Sequence, residues 1–451
     1  MNLERAKGTK DYPPEEKIAR QEVIDKLRAI FELYGFSPLE TPIIERFDVL
    51  SAKYAGGAEI LKETFKFKDQ GDRELGLRYD LTVPLARFIG MNPNLKMPFK
   101  RYQMGQVFRD GPIKTGRQRE FWQCDVDTVG TKNMIADAEF IKIAQRFFEA
   151  IGLNVIIEIN NRKLLDGLLE DLKIPEDKKN DVIIAIDKLK KVPLKDIEKE
   201  LDEKGIPKKK VDELFKILKT DGTNTQKLEK LRKLLKSTKA VEGLNEIEEV
   251  LCYTDDMDYT ETKKEGLKEK SNVVFSISLA RGLSYYTGTV FEAFVDQENS
   301  NIEFKSSLAG GGRWNKMISE FLGTNREFPA LGISFGIEPI TLMLNEIKKS
   351  KKIEGKKTVT QLYVIPIPFD KTAKKALDIV EELRSKGLKV DMDIMGKGIS
   401  KNLEYANSYN IPYVLFIGEE ELKKKKYKLK NMKTGKEEFL DVRGILNSVG
   451  F

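Results

Sequence analysis

The chain has 451 residues and not one histidine. That absence excludes a Ser-His-Asp triad, a histidine metal site and a histidine general base. Whatever chemistry occurs runs on carboxylates, arginines, lysines, tyrosines and backbone dipoles. Cysteine is almost missing too. Cys124 and Cys252 stand far apart and outside any Cys-x-x-Cys pair, which argues against a disulfide framework and a thiolate zinc site and for a reduced, cytoplasmic protein. No run of eighteen apolar residues occurs, so no segment is a candidate membrane span. The opening "MNLERAKGTKDYPPEEK" lacks the apolar stretch of a secretory signal.

What is present points to a globular protein of about three domains. Net charge is +7, with 33% of residues charged, so the distribution of charge says more than its excess. Lysine is dense from Lys163 to Lys270 and in "ELKKKKYKLK", Glu421 to Lys430. Such runs form either solvated faces or the footprint of an anionic partner.

The first 160 residues mix helices and strands. "PPEEKIARQEVIDKLRAIFELYGF" opens with prolines and acids, carries apolar residues at helical spacing and stops at Gly35. "FKFKDQGDRELGLRYD" alternates on both sides of "DQGD" and reads as a hairpin. "KRYQMGQVFR" and "REFWQCDVDTV" read as two strands joined by the glycine- and proline-containing loop "DGPIKTGRQ". From about Asn160 to Lys270 apolar residues recur every three or four positions, the texture of a small helical domain. Strand-like segments resume at "NVVFSIS", which makes the helical stretch an insertion. From about Thr358, strands and helices alternate as in a small α/β domain with a largely parallel sheet.

Four constellations could carry chemistry. In Gly105 to Gly130 a strand ends in Arg109, a cationic loop carries Lys114, Arg117 and Arg119, and the returning strand places Gln123, Asp125 and Asp127 on one face with Cys124 and Val126 on the other. An arginine beside a cationic loop suits a phosphate; cross-strand ion pairs of little energetic weight are the plain alternative. In "LGLRYDLTVPLARF", Asp80 and Thr82 sit where a strand gives way to a helix, as a helix cap, as ligand contacts, or as both. In "LARGLSYYTGTVFEAF", Leu279 to Phe294, a corner sets Arg281 near Tyr285 and Tyr286. In "SLAGGGRWNKM" three glycines end a strand, allow close approach of backbone to a ligand and open a helix N-terminus. Both tryptophans, Trp122 and Trp314, fall within these stretches.

Together these segments resemble the class II aminoacyl-tRNA synthetases, and within them the histidyl-tRNA synthetase family, over nearly the whole chain. Motif 1 resembles "GFSPLETPIIERFDVL", motif 2 "VFRDGPIKTGRQREFWQCDVD" and motif 3 "ALGISFGIEPI"; "ARGLSYYTG" and "AGGGRWNKM" are similar to segments particular to the histidine enzymes. The resemblance implies an α+β fold: a six-stranded antiparallel sheet flanked by helices, in residues 1–160 and 271–350, with a helical insertion at 161–270 and a C-terminal α/β anticodon-binding domain at 358–451. It implies a homodimer built partly through motif 1, with L-histidine, ATP accompanied by Mg2+, and tRNA(His) as substrates and partners, and no resident metal site.

By the same resemblance Arg109 and Arg281 are the catalytic arginines at the α-phosphate. Asp80, Leu81, Thr82, Gln123, Asp127, Tyr285 and Tyr286, with both arginines, contact histidine. Arg117, Arg119 and Arg313 join Arg109 and Arg281 on ATP. Pro339 stands where motif 3 normally ends in an arginine, a departure from the family pattern for which our hypothesis is that Arg313 or Arg119 compensates. Ser284 stands where the family often has aspartate. Two other readings are a non-catalytic paralogue acting as a regulatory subunit in histidine biosynthesis and an RNA-binding module with a dead site.

Overall fold

The computed structural model describes residues 3–51, 61–113, 118–189, 192–254, 272–281, 285–296, 304 and 306–450. Two compact units emerge: Met1–Lys10 with Val23–Ile347, and Asp11–Glu22 with Lys348–Phe451.

Helix α1 (Pro14–Leu33) starts on a proline with Glu15 and Glu16 in its first turn, where the macrodipole favours acids. Gly35 ends the run with a φ of +77°. The first unit continues with β1 (Ser37–Pro38), β2 (Ile44–Arg46), α2 (Phe47–Leu50), β3 (Lys66–Lys68), β4 (Glu74–Leu77), α3 (Thr82–Met91), β5 (Phe99–Phe108), β6 (Glu120–Val129), α4 (Ile135–Ala150) and β7 (Val155–Asn161). The expected "DQGD" hairpin forms: β3 pairs antiparallel with β4, and β2 covers the other side of β4.

Between β7 and β8 (Val273–Phe275) lie the inserted helices: α5 (Arg162–Asp171), α6 (Glu176–Asp187), α7 (Leu194–Glu203), α8 (Lys208–Leu218), α9 (Asn224–Leu234) and α10 (Thr238–Thr254). Their apolar spacing does what it predicts: Ile197 and Leu201 of α7 and Val211, Leu214 and Leu218 of α8 are buried while the lysines between them face water. The unit closes with β9 (Thr289–Val295), β10 (Ala309–Arg313), α11 (Met317–Leu322), β11 (Ala330–Gly336) and α12 (Ile337–Ser350).

The main sheet runs β1-β5-β6-β11-β10-β9-β7-β8. Its six central strands, β5 to β7 in that order, pair antiparallel throughout. One parallel strand is added at each edge, β1 on β5 and β8 on β7. One face is dry. Phe31 of α1 and Phe147 of α4 pack on Phe335 of β11, with ring centroids 5.8 and 5.1 Å apart, and Cys124 and Val126 point into the same core. The opposite face carries polar residues of β6, and there the cavity lies.

The second unit holds β12 (Leu362–Ile367), α13 (Phe369–Ser385), β13 (Val390–Met392), α14 (Ile399–Ser408), β14 (Tyr413–Gly418), α15 (Glu419–Lys424), β15 (Tyr427–Asn431), β16 (Glu437–Leu440) and α16 (Val442–Val449). Its sheet, β13-β12-β14-β15-β16, corrects the expectation of a largely parallel arrangement: β12 pairs parallel with β13 and β14, but β15 and β16 return antiparallel. The lysine-rich run is α15 and β15, with Lys423 and Lys424 beside Glu420, and Lys428 and Lys430 beside Glu437.

A second correction concerns the glycine triplet. Gly310, Gly311 and Gly312 do not form a loop at a helix N-terminus. They lie inside β10, in the middle of the sheet.

Candidate active site

Strand parity builds the floor of the site. On β6 the odd positions Gln123, Asp125 and Asp127 face one side, and all three line a cavity of about 180 Å³. Tyr79, Asp80 and Thr82 enter from the β4–α3 junction, Arg109 from the end of β5, Arg281 and the two tyrosines from the segment before β9, and Gly310, Gly311, Gly332 and Ser334 from β10 and β11. Arg109 and Arg281, 172 positions apart in sequence (281 minus 109), therefore face one shared space.

Two glycines, Gly310 and Gly332, make room for this. A methyl on Gly310 would lie 1.9 Å from Arg281 Nη1, and one on Gly332 would lie 1.9 Å from Asp127 Oδ1. Gly311 is held by the sheet itself, since a methyl there would meet Gly332 O at 1.9 Å. The charged side chains of the site thus lie directly on bare backbone.

Arg281 is held by Glu292, Nη1 to Oε1 at 3.0 Å, and its guanidinium carbon is 5.5 Å from the Tyr286 ring centroid. The rings of Tyr285 and Tyr286 touch at 4.6 Å. The turn leading to Arg281 is anchored by Asn160, a fully buried residue of β7 whose amide donates to Ile277 O at 2.9 Å and to Leu279 O at 2.7 Å. Arg109 lies over Tyr79 and Phe121, 4.2 and 4.8 Å from their centroids, and its Nε donates to Tyr79 O at 3.3 Å. Both arginines are braced by aromatic faces, which keeps them aimed before any ligand arrives.

Asp80 performs both roles open to it. Its Oδ1 accepts from the amides of Thr82 (3.1 Å) and Val83 (3.0 Å) at the start of α3, and the residue also lines the cavity. Burial raises its carboxyl above the usual range, against the pull of those amides and of Arg109. Asp127 forms an ion pair with the fully buried Arg101, Oδ2 to Nη2 at 2.7 Å. Burial still pushes Asp127 up to about 6. Asp125, buried and next to Asp127 on the same face, is pushed up to about 7.

The expected residues are not all here. Asp80, Thr82, Arg109, Gln123, Asp127, Arg281, Tyr285 and Tyr286 share the cavity. Leu81 does not: its side chain is fully buried, and its carbonyl accepts from Arg101 Nη2 at 3.1 Å. Arg313, expected at the nucleotide, is corrected outright. It is 1% exposed, pairs with the buried Asp137, and donates to Thr131 O and Asn133 O. Arg119 also lies outside the cavity lining, its Nη2 3.0 Å from Asp110 Oδ1 and its stem against Gly8. Arg117, Lys114 and Ser284 lie outside the described residues.

Pro339 sits in the first turn of α12, where a missing N–H costs little, and it brings no cation. Among the described residues the lining arginines are Arg109 and Arg281 alone. The two tryptophans part company: Trp314 lines the cavity, while Trp122, of opposite parity on β6, packs on the core behind the sheet. Asp125, Tyr79, Ser334 and Asn160 are site residues that the motif resemblance did not assign. Of these, the alternation of β6 already placed Asp125 on the right face.

A family model described as histidyl-tRNA synthetase matches residues 8–340, and one described as anticodon binding domain matches residues 361–449. The chain is similar to histidine–tRNA ligase 1 of Bacillus cereus, 41% identical over 440 residues that cover 97% of each chain. To histidine–tRNA ligase 2 of Shouchella clausii it is 40% identical over 442 residues, covering 97% of this chain and 98% of that one. Among solved structures, histidyl-tRNA synthetase from Nostoc sp. PCC 7120 superposes with a TM-score of 0.84 at 28% identity, covering 100% of this chain and 99% of that one. A protein described as an ATP phosphoribosyltransferase regulatory subunit/histidyl-tRNA synthetase from Bacillus halodurans C shares the fold, with a TM-score of 0.72 at 20% identity, covering 92% of this chain and 98% of that one. Sequence, fold and matched span agree, and the chain belongs to the histidyl-tRNA synthetase family.

Proposed function

We propose that this chain is a histidine–tRNA ligase that works in two steps at the cavity between Arg109 and Arg281. In the first, the carboxylate of L-histidine attacks the α-phosphorus of ATP. A bond forms between the carboxylate oxygen and the α-phosphorus, giving the mixed anhydride histidyl-adenylate, while the bond from the α-phosphorus to the α–β bridging oxygen breaks and pyrophosphate leaves. The nucleophile is already ionised, so the step needs no strong base, which suits a chain without histidine. It needs fixed positive charge where the five-coordinate phosphorus gathers negative charge. Arg109 and Arg281 supply it from two sides. In the second step a hydroxyl of the terminal ribose of tRNA(His) attacks the histidyl carbonyl, and AMP leaves.

The division of labour follows from what each group can donate or accept. Asp80 and Thr82 take the α-ammonium group. Gln123, Asp127 and the Tyr285–Tyr286 pair enclose the imidazole; an isostere without its polar nitrogens would leave these pocket groups unpaired. Arg117 and Arg119 reach the outer phosphates. The Arg119–Asp110 pair is part-exposed and exchanges for phosphate at small cost. Mg2+ enters with ATP as part of the substrate. Among the described residues no group of three acidic, cysteine or histidine side chains could hold a metal ion, so no step is assigned to a resident one.

The remaining partners follow from surface and composition. No helix among the described residues is long and apolar enough to cross a membrane, and two widely separated cysteines outside any disulfide suit the reducing cytoplasm. Ile43, Ile44 and Phe67, in and beside the small three-stranded sheet of the motif 1 region, are exposed, which supports a homodimer there. The unit from 358 to 451 and the lysines from Lys423 to Lys426 contact the tRNA backbone, with the helical insertion on the acceptor arm. The single observation that carries the reading is the convergence of Arg109 and Arg281 on one cavity walled by three aspartates and three tyrosines. That set also disfavours a non-catalytic paralogue, which would have no use for paired phosphate arginines. ATP–pyrophosphate exchange measured with each of the twenty amino acids tests it. Exchange with histidine alone is expected; exchange with none, or with a different amino acid, overturns it.

A further inference from the structure

Asp125 lies between Gln123 and Asp127 on the cavity face of β6 and is 4% exposed. Across the register it faces Ser334. Gln123 Nε2 donates to Ser334 Oγ at 3.0 Å, so the serine hydroxyl hydrogen is free to turn toward Asp125 across the register, where it favours the ionised carboxylate. This relay sets the donors and acceptors of three side chains at once. It leaves Gln123 Oε1 and Asp125 Oδ1 as buried acceptors without a protein partner.

Charge separates Asp125 from its neighbours. Asp127 has Arg101, Glu292 has Arg281, and Asp80 has the amides of α3. Among the described residues no cation forms an ion pair with Asp125. The charged or titratable groups around it are Asp127 on β6, Arg101 on β5, Asp80 and Arg78 from the β4–α3 segment, and Tyr286 before β9. Two unmatched acceptors and one unbalanced carboxylate describe the complement of a ring that donates at both nitrogens and carries a positive charge.

We propose that Asp125 is the specificity-determining residue for the ring, pairing with the substrate side chain as an imidazolium cation while Gln123 Oε1 accepts from the second ring N–H. The inference rests on the histidine reading and deepens it. A neutral imidazole offers one N–H and would leave one buried acceptor unpaired, a costly arrangement. The cation satisfies both and neutralises the carboxylate. Free imidazole side chains titrate near pH ~6.5, and burial beside Asp127 pushes the ligand-free Asp125 carboxyl up to about 7; once ring and carboxyl meet, each charge favours the other, which keeps the proton on the ring and the carboxyl ionised.

Two measurements test this. The first compares histidine with 1,2,4-triazolylalanine, a near-isostere whose ring stays neutral, in pyrophosphate exchange by the wild-type chain and by Asp125→Asn. Wild type is expected to favour histidine, and Asp125→Asn to lose at least about tenfold in kcat/KM for histidine, mostly in KM, with little change for the analogue. Equal losses on both substrates would mark a merely structural role and overturn the proposal, as would no loss on either. The second needs no variant. Histidine binding to wild type, followed by calorimetry at pH 8 in buffers of different ionisation enthalpy, is expected to take up about one proton per histidine, because ring and carboxyl both start deprotonated there. Binding without proton uptake overturns the proposal. Failure of histidine to support exchange in the wild-type chain would instead overturn the parent reading, before Asp125 enters.

Discussion

The glycines of β10 separate catalysis from stability, and Gly310→Ala measures the separation. Gly310 pairs with Glu292 of β9 and Ser334 of β11, and its φ is outside the left-handed region, so alanine fits the backbone. The added methyl would lie 1.9 Å from Arg281 Nη1, 3.0 Å from its Cζ and 3.2 Å from Glu292 Cγ. Comfortable contact needs about 3.5 Å, so the guanidinium must retreat by more than about 1 Å. It is the far end of a flexible side chain and can do so cheaply, and alanine costs less chain entropy in a strand than glycine. The fold should keep its melting temperature within a few degrees. Catalysis should not survive so well. A misplacement of about 1 Å in a transition-state contact costs on the order of 10²-fold, or ~2.7 kcal/mol. Gly311→Ala is the control with the opposite outcome. Its methyl would sit 1.9 Å from Gly332 O and 2.7 Å from Ile333 Cα. Backbone cannot swing aside, so the central strands must part and the melting temperature must fall. The assay is pyrophosphate exchange beside a thermal melt for each variant. A Gly310→Ala chain exchanging within about threefold of wild type would show that the position of Arg281 does not matter. Gly310→Ala melting as low as Gly311→Ala would show that the two clashes are alike.

Arg313→Met should destabilise the first unit by ~3–5 kcal/mol, because it strands the buried Asp137 without its partner; Arg313→Met with Asp137→Leu should recover most of that in a melt, and an unaltered melting temperature for the single variant would refute the structural role. The raised carboxyls of Asp125 and Asp127 bind protons more tightly folded than unfolded, so their contribution to stability is full below pH ~3.8 and is lost as pH rises to about 7. Asp125→Asn should therefore raise the melting temperature of the ligand-free chain at pH 8 and leave it nearly unchanged at pH 4; the reverse pattern would mean the carboxyl is not raised. Reversing charge at Lys423 to Lys426 should weaken tRNA binding and flatten its dependence on salt, with histidine-dependent exchange intact; tRNA affinity left unaltered would remove this patch from the interface.

Local rules made much of this fold legible, and their failures share one cause. Period-two alternation put Gln123, Asp125 and Asp127 on the cavity side of β6 and Cys124 and Val126 in the core, because parity needs no knowledge of partners. The "DQGD" turn was readable for the same reason, with Asp72 at a φ of +58°. Glycines 310 to 312 were not readable as strand. Glycine-rich sequence is equally typical of loops, and what demands glycine at 310 and 311 is Arg281 and the Gly332 carbonyl, contributed by other segments. Arg313 misled for a similar reason. A cation beside glycines looks like a phosphate ligand until Asp137, 176 residues earlier, is seen against it. In the second unit β15 alternates Tyr427 and Leu429 inward with Lys428 and Lys430 outward, but parity does not tell which way a strand runs, so it could not reveal that β15 and β16 turn back antiparallel on β14.

The cavity also explains how such a site works without a histidine of its own. Its fixed charges are arranged so that most cancel before substrate arrives: Arg101 against Asp127, Arg281 against Glu292, and Asp80 against the amide end of α3. Cancelling them locally limits the desolvation cost of burying so many ions in one place. Arg109 and Asp125 stand apart from those pairs. Arg109 is braced by aromatic rings, and no described cation forms an ion pair with Asp125. On the proposed reading they are the two positions at which a ligand completes the electrostatics, Arg109 taking an anion and Asp125 a cation. A substrate with a carboxylate and phosphate at one end and a protonatable ring at the other answers both. On the proposed reading an amino acid with a neutral side chain would satisfy Arg109 alone and leave the buried Asp125 carboxyl without its partner, so one cavity would both select the amino acid and activate its carboxylate.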